Sequence, residues 1–418
     1  MADSPNRTWQ YILSLLLTAG VAGFAFNSYT YRVAMVSAFF SLALASVAIL
    51  HFRVRPQWTD ALLVLGCTAL FAVVDLAARH FPHRIMAWFS FFGLGSLLVL
   101  SLRVIWAKSS DRKLLLSAWV PALLFIASEY FASTMLDWTV ALHPKTLDLY
   151  LFSFDSSMGV QLSFLAGRWF FESSPLRAAS LIFYIGLPIP IALIYAGLLI
   201  RHREKSYPAM LAFLVTGPLG ILFYNLYPAI GPMALFGQNF PFHPLPVGQA
   251  ARLLLEPVAL TGPRNAIPSL HMAWTLLAWW YSRGLSWWER AIASAFVLFT
   301  VLATLGTGEH YFVDLVVAFP FALFVQALCS YTLPWKDARR LAAISFGLLV
   351  TLAWLVALRH AGKFFWISPV IPWALCVSTI LLSSIRQHKF QLAVDSGPLA
   401  AELNPGVSTA RQPSPARN

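Results

Sequence analysis

The sequence predicts an all-α, polytopic membrane protein with about 12 transmembrane helices. Hydrophobic residues make up 59% of its 418 residues, charged residues make up only 11%, and the mean hydropathy is +0.69. A soluble protein carries roughly 25% charged residues and a smaller apolar fraction. The composition therefore excludes a soluble globular protein, a disordered chain and a nucleic-acid-binding protein.

The predicted helices are apolar stretches, most of which approach the ~20 residues needed to cross about 30 Å of hydrocarbon. Tryptophan and tyrosine cluster at many of their ends, as expected for side chains at the membrane interface. Two amphipathic pieces between 135 and 176 are predicted to be interfacial helices. The apolar stretches lie at 10–27, 33–52, 60–79, 86–106, 114–134, 177–200, 207–227, 268–283, 289–306, 310–333, 341–358 and 365–385.

The distribution of basic residues predicts the orientation in the membrane. Roughly two thirds of the 29 Lys and Arg residues fall on the side of the N-terminus if the chain crosses about 12 times. The positive-inside rule then places both termini in the cytoplasm. The net charge of +12 fits loops that face anionic lipid headgroups. An excess of Arg over Lys favours a bacterial inner membrane as the location.

Two polar motifs open the eighth and tenth stretches. The first runs from Gly262 to His271 and the second from Gly306 to Asp314. One outward and one return crossing separate His271 from His310. We therefore expect both histidines at the same membrane face and at the same depth, on the non-cytoplasmic side.

The first motif is typical of an anion site. Pro268 suits the first turn of a helix, where its missing N–H costs nothing. The free N–H groups that follow and the positive end of the helix dipole favour an anion. Ser269 adds a hydroxyl group, and Arg264 adds the guanidinium that is best matched to phosphate. The motif predicts phosphate binding.

The second motif supplies a candidate nucleophile. His310 and Asp314 are spaced i, i+4, which would place them on one face of a helix. The carboxylate could then hold one ring nitrogen and leave the other free to attack. A single pair of this kind is as often a packing pair. Its coincidence with the first motif favours a functional site, because polar groups at membrane depth are costly.

These residues resemble the signature motifs of a known family. Pro268-Ser-Leu-His271 and His310-x3-Asp314 are similar to the second and third motifs of the type 2 phosphatidic acid phosphatase superfamily. Ile267–His271 and Ala303–Leu315 look more narrowly like its inositol phosphorylceramide synthase branch. Leu270 stands where the general pattern has glycine, and Ala303-Thr304 stands where it has Ser-Arg.

The resemblance implies a role for each residue of the two motifs. His310 would be the nucleophile that forms a phosphohistidine, Asp314 would orient it, and His271 would be the general acid. Arg264 and Ser269 would hold the phosphoryl oxygens. No metal and no cofactor are implied. Candidates for headgroup contacts are Glu309, Tyr311 and Asn265.

The resemblance also implies how the chain is divided. A six-helix catalytic core is expected over 114–334. Residues 1–113 would add four N-terminal transmembrane helices, and 335–386 would add two more. The polar residues 387–418 would form a disordered tail.

The predicted function is a lipid phosphotransferase, similar to an inositolphosphotransferase. Its substrate would be a phospholipid or a polyprenyl or sphingolipid phosphate, and its acceptor would be a polyol. The alternative is a lipid phosphate phosphatase, in which water resolves the same phosphohistidine. A more remote alternative is a solute transporter, because Asp75, Glu129 and Asp314 lie in or near membrane stretches.

Overall fold

The structure is a computed structural model that describes residues 8–26, 38–54, 57–79 and 85–396. The described residues form α-helices joined by loops, and the chain is an all-α, multi-pass membrane protein, as predicted. The helices are α1 (Thr8–Phe26), α2 (Ala38–Val54), α3 (Trp58–Arg79), α4 (Ile85–Trp106), α5 (Ser109–Leu142), α6 (Asp148–Ser157), α7 (Leu162–Glu172), α8 (Ser174–Ile185), α9 (Pro188–Arg201), α10 (Arg203–Leu226), α11 (Pro232–Phe236), α12 (Val247–Ala250), α13 (Leu270–Tyr281), α14 (Trp287–Gly306), α15 (Phe312–Cys329), α16 (Ala338–His360), α17 (Gly362–Phe365) and α18 (Val370–Asp395).

Within the described residues, each predicted apolar stretch coincides with one of these helices or with a helix pair. Residues 27 and 33–37 of the first two stretches lie outside the described residues. Among the described residues, seven helices are long and apolar enough to cross a membrane. There are eight if α8 and α9, which are bent by 52° at their junction, count as one span. The helix α13 has only 12 residues and is shorter than a full span. The number of crossings, about 12, stays a prediction.

The chain divides into two compact units. Unit 1 comprises Met1–Asp137, Pro175–Arg203 and Ala278–Thr300, and unit 2 comprises Trp138–Ser174, Glu204–Leu277 and Val301–Asn418. The boundaries of the four parts expected from the sequence stay a prediction.

In unit 1, α4 is the central helix. It packs against α1, α2 and α3, and α2 also packs against α9. Phe40, Leu44, Phe71, Phe91 and Leu94 form its buried apolar cluster. Burial of such side chains stabilises each by about 1.5–3 kcal/mol relative to exposure in water. Some of that gain is absent where the unfolded reference also lies in lipid.

In unit 2, α15 is buried along most of its length and packs against α16 and α18. Arg340, at the start of α16, donates hydrogen bonds to the carbonyl groups of Ala327, Leu328 and Leu333. It thereby satisfies carbonyl groups that the end of α15 leaves without an intrahelical partner. The short helices α6 and α7 lie where interfacial helices were predicted, and α6 contacts α11, α12 and α15–α18.

One part of the predicted tail is helical. The helix α18 continues to Asp395, so the prediction of disorder from Gln387 onward is wrong for its first nine residues. Gln387 and Gln391 are buried, and their side chains form hydrogen bonds with Gln326 of α15 at 3.2 and 3.3 Å. Because of these hydrogen bonds, the polar side chains can be buried in the helix. Residues 397–418 lie outside the described residues.

Candidate active site

His310 lies in the loop between α14 and α15, and its side chain is 2% exposed. Its N–H donates to the carbonyl of Thr304, at 3.3 Å. The hydroxyl of Ser163, on α7, donates to its carbonyl oxygen at 3.1 Å. Hydrogen bonds therefore hold both the N–H and the carbonyl group of His310 in place, independently of its side chain.

The imidazole of His310 contacts three groups of unit 2. Its Nδ1 lies 2.8 Å from the carbonyl oxygen of Ala266 and 3.5 Å from Oδ2 of Asp314. Its Nε2 lies 3.2 Å from Oγ of Ser269. A carbonyl oxygen can only accept, so Nδ1 must carry the proton. In the neutral ring Nε2 then has a free lone pair, which is the form a nucleophile requires.

The predicted helical face shared by His310 and Asp314 is not present. The helix α15 begins at Phe312, so His310 precedes it. The reason lies in Asp314, whose Oδ2 accepts the N–H of Tyr311 at 2.7 Å and caps the helix at that point. The two side chains nevertheless meet, as expected, although the shortest contact of Nδ1 is with the carbonyl of Ala266.

Ser269 caps the start of α13. Its Oγ accepts the N–H of Met272 at 3.4 Å, and its own N–H donates to the carbonyl of Asp314 at 3.2 Å. The helix therefore begins at Leu270, and the prediction that Pro268 lies in its first turn is wrong. The consequence for the site is favourable, because the cap places the Ser269 hydroxyl beside Nε2 of His310.

His271 is the second residue of α13 and is partly buried. Its ring lies edge-on to that of Trp274, with ring centroids 6.2 Å apart. The structure brings Ser269, His310 and Asp314 together, and His271 follows Ser269 by two residues.

Arg264 is 1% exposed, and its guanidinium faces backbone carbonyl groups. It donates to the carbonyls of His143, Gly262 and Leu260, with 2.8 Å from Nε to His143. Burial lowers the pKa of the guanidinium, and the negative charge of Asp148 raises it. A phosphate would have to share or displace these carbonyl contacts, so binding of phosphate by Arg264 stays a prediction.

The three candidates for headgroup contacts have different positions. Tyr311 is buried, and its hydroxyl donates to Oδ1 of Asp148 at 3.2 Å. Glu309 and Asn265 are partly buried. The backbone of Glu309 passes against Gly231, where φ is +135° and an added Cβ would collide with the Glu309 carbonyl. Only glycine permits that approach.

Two aspartates of α6 also belong to the surroundings of the site. Asp148 accepts the N–H of Gly231 at 2.7 Å, and Asp155 accepts the N–H of Phe312 at 2.7 Å. Burial raises the pKa of both carboxyl groups, that of Asp155 to about 8, and the charge of Asp314 adds to the rise at Asp155. Their i, i+7 spacing was the available signal, since it places both on one face of a helix.

No group of three or more His, Cys, Asp or Glu side chains that could hold a metal ion is found among residues 8–26, 38–54, 57–79 and 85–396. The groups near His310 are an imidazole, a hydroxyl, a carboxylate and a backbone carbonyl. This set can attack an electrophile, orient the attacking ring and transfer protons.

The fold and the site define a helical membrane protein with a histidine-centred polar site in unit 2. Residues 149–328, somewhat less than half of the chain, match the family model described as the PAP2 superfamily. The match begins in α6 and ends in α15, so it contains His271, His310 and Asp314. No curated protein and no solved structure matches the chain significantly.

Proposed function

We propose that the protein is a PAP2-type membrane enzyme that transfers the phosphoryl or phospho-headgroup of a lipid through His310. The single observation that supports it most is the tautomer of His310. Its Nδ1 faces the carbonyl of Ala266, and its Nε2 lies beside Ser269. This arrangement points Nε2 away from the carbonyl that Nδ1 contacts, inside the region that matches the PAP2 superfamily.

In the first step, Nε2 of His310 attacks phosphorus and a P–N bond forms. The P–O bond to the lipid breaks, and protonated His271 gives its proton to the departing alkoxide. Asp314 and the Ala266 carbonyl keep Nδ1 in place and stabilise the positive charge that develops on the ring. Ser269 is placed to hold a phosphoryl oxygen once its hydroxyl group turns from Nε2 of His310 to the phosphate.

In the second step, a hydroxyl group attacks the phosphohistidine and the P–N bond breaks. Neutral His271 accepts the proton of that hydroxyl group, which restores its protonated form for the next cycle. An alcohol as acceptor gives a transferase, and water gives a phosphatase. We favour a polyol acceptor, because the residues from Ala303 to Leu315 resemble the inositol phosphorylceramide synthase branch.

The test is to incubate the purified protein with a labelled panel of phospholipid, polyprenyl phosphate and sphingolipid substrates, with and without inositol and other polyols. The expected result is a new labelled lipid that forms only when a polyol is present. If phosphate is released at the same rate with and without saturating polyol, and no new lipid forms, the protein is a phosphatase and not a transferase. No product from any substrate would contradict both activities.

We also propose that the site faces away from the cytoplasm of a bacterial inner membrane and that both termini are cytoplasmic. Cysteine substitution tests this at two exposed positions of unit 2, Gln238 and Ala338. An impermeant thiol reagent should label Gln238→Cys in intact cells and Ala338→Cys only after lysis. The parent chain, with Cys329 and Cys376 buried and Cys67 partly buried, measures the background labelling. The opposite pattern would reverse the orientation.

A further inference from the structure

The short helix α6 has unusually many polar side chains for a buried helix. Asp148 and Asp155 are 0% and 3% exposed, and Ser153, Ser156 and Ser157 are buried beside them. Burial of a carboxyl group is costly unless hydrogen bonds compensate. The hydrogen-bond partners of these two carboxylates therefore indicate which segment the helix stabilises.

Both carboxylates bind the segment that follows His310. Asp148 accepts the Tyr311 hydroxyl at 3.2 Å. Asp155 accepts the N–H of Phe312 at 2.7 Å through Oδ2 and that of Val313 at 3.3 Å through Oδ1. These amides belong to the first turn of α15, where a helix provides no intrahelical acceptor. A single face of α6 thus binds three consecutive residues after His310.

Asp155 completes a set of contacts that surrounds the backbone of His310. Thr304 and Ser163 hold the N–H and the carbonyl of His310 itself. Asp314 binds the next amide, and Asp155 binds the two after it. Asp155 reaches this segment from a separate helix, α6, through the amides of Phe312 and Val313.

We infer that Asp155 is a positioning residue: by holding the first turn of α15, it fixes the place of the His310 imidazole between Ala266 and Ser269. The inference rests on the proposed function, in which His310 attacks phosphorus. A displacement of about 1 Å at a reacting atom can reduce the rate by ~100-fold. Loss of Asp155 should therefore act on the rate of the chemical step more than on substrate binding.

The experiment compares Asp155→Ala with Asp155→Asn in the full-length protein, using phosphatidic acid in detergent micelles as the probe. Alanine removes both acceptors, whereas asparagine keeps one oxygen for the 2.7 Å bond to Phe312. We expect kcat to fall by at least ~10-fold in the alanine variant and by less than about 3-fold in the asparagine variant. KM should change little in either variant. Glu172→Gln, an exposed acid on α7, is the control.

A second variant covers the case in which Asp155→Ala does not fold. Ser163→Ala removes the 3.1 Å hydrogen bond to the His310 carbonyl and changes the same backbone from another helix. We expect it to lower kcat, by a smaller factor than the Asp155→Ala change, again without a large change in KM. A lower melting temperature with unchanged kcat in these variants would indicate a purely structural role and overturn the inference.

The nitrogen resonances of His310 separate this inference from the proposed function. In protein labelled with ¹⁵N-histidine, the signals lost in His310→Gln identify the ring. We expect the wild-type ring to show the Nδ1–H tautomer and Asp155→Ala to shift or broaden those signals. Unchanged signals in Asp155→Ala would overturn the positioning role. If the wild type acts on no lipid phosphate, the proposed function fails, and the spectra still decide whether Asp155 positions the ring.

Discussion

Two buried carboxylates of unit 1 are bound by arginine side chains, whereas three of unit 2 are bound mainly by amide and hydroxyl groups. In unit 1, Glu289 is 0% exposed and pairs with Arg53 and Arg201, each at 2.5 Å. Asp60 accepts a 2.8 Å bond from Nε of Arg103 and lies 3.3 Å from Nε2 of His51. These ion pairs join residues from different helices and serve the packing of the unit.

The carboxylates of unit 2 have another kind of partner. Asp148 accepts a backbone N–H of the loop after α10, and Asp155 accepts that of Phe312 in the first turn of α15. Asp314 accepts the N–H of Tyr311 beside His310. Amides hold a carboxylate in place without neutralising its charge by an opposite one. The difference indicates that unit 2 uses its buried carboxyl groups to hold the backbone around His310, whereas unit 1 uses them to join helices.

The largest effect should follow from the loss of His310. We expect His310→Gln to lower turnover by at least about 10⁴-fold, because His310 is the proposed nucleophile and glutamine cannot form the covalent intermediate. The measurement is product formation from labelled lipid, with an alkaline quench to preserve any phosphohistidine. His243→Gln, an exposed histidine of the same unit, is the control. Label that stays on the His310→Gln protein would assign the nucleophile to another residue.

His271 should give the next largest effect, and that effect should depend on the leaving group. General acid catalysis contributes roughly 10²–10⁴-fold and matters most for a basic leaving group. We expect His271→Ala to reduce the rate strongly with an alkyl phosphate and much less with p-nitrophenyl phosphate. Parallel rate measurements on both substrates give the ratio. Equal losses would remove His271 from the acid role.

The helices and the contacts among Ser269, His310 and Asp314 were predictable, because hydropathy and motif spacing are local properties of the sequence. The starts of the helices were not. A side chain decides each one: Ser269 caps α13 after Pro268, and Asp314 caps α15 after His310. Helical spacing alone therefore gave the right partners for His310 and Asp314 and the wrong local geometry.

Contacts between side chains and backbone carbonyl groups could not be predicted from the sequence. The carbonyl of Ala266 is the nearest partner of Nδ1 of His310, and carbonyl groups surround the guanidinium of Arg264. Every residue has a carbonyl group, so no residue type signals such a contact. Of the residues that the transporter alternative invoked, Asp75 is buried in unit 1, and the side chain of Glu129 lies outside the described part of the chain.

A moderate effect on stability, with little effect on activity, should follow from a change in unit 1. We expect Glu289→Gln to destabilise the protein by about 1.5–3 kcal/mol, the usual range for a hydrogen bond to a charged group. The rate per folded molecule should stay within about 2-fold. Thermal unfolding and turnover in one detergent measure both quantities. Asp137→Asn, at an exposed acid of unit 1, is the control. A large loss of turnover at an unchanged melting temperature would contradict the structural role given to the ion pairs of unit 1.

The smallest effect should be a dependence of stability on pH that arises from Asp155. Burial raises the pKa of its carboxyl group to about 8 in the folded protein, well above the ordinary value of 3.8. The folded state therefore binds this proton more tightly than the unfolded state, and stability is lost as the pH rises through about 8.

Between pH 7 and pH 9, this loss should amount to about 1 kcal/mol, or roughly 2–4 °C in melting temperature. Asp155→Asn carries the neutral isostere of the protonated carboxyl group and cannot ionise. Its melting temperature should therefore fall less than that of the wild type over the same interval. Other groups that titrate in this range cancel in the comparison of the two proteins. Parallel falls in both would show that Asp155 is already ionised at pH 7, so that its two amide hydrogen bonds outweigh its burial.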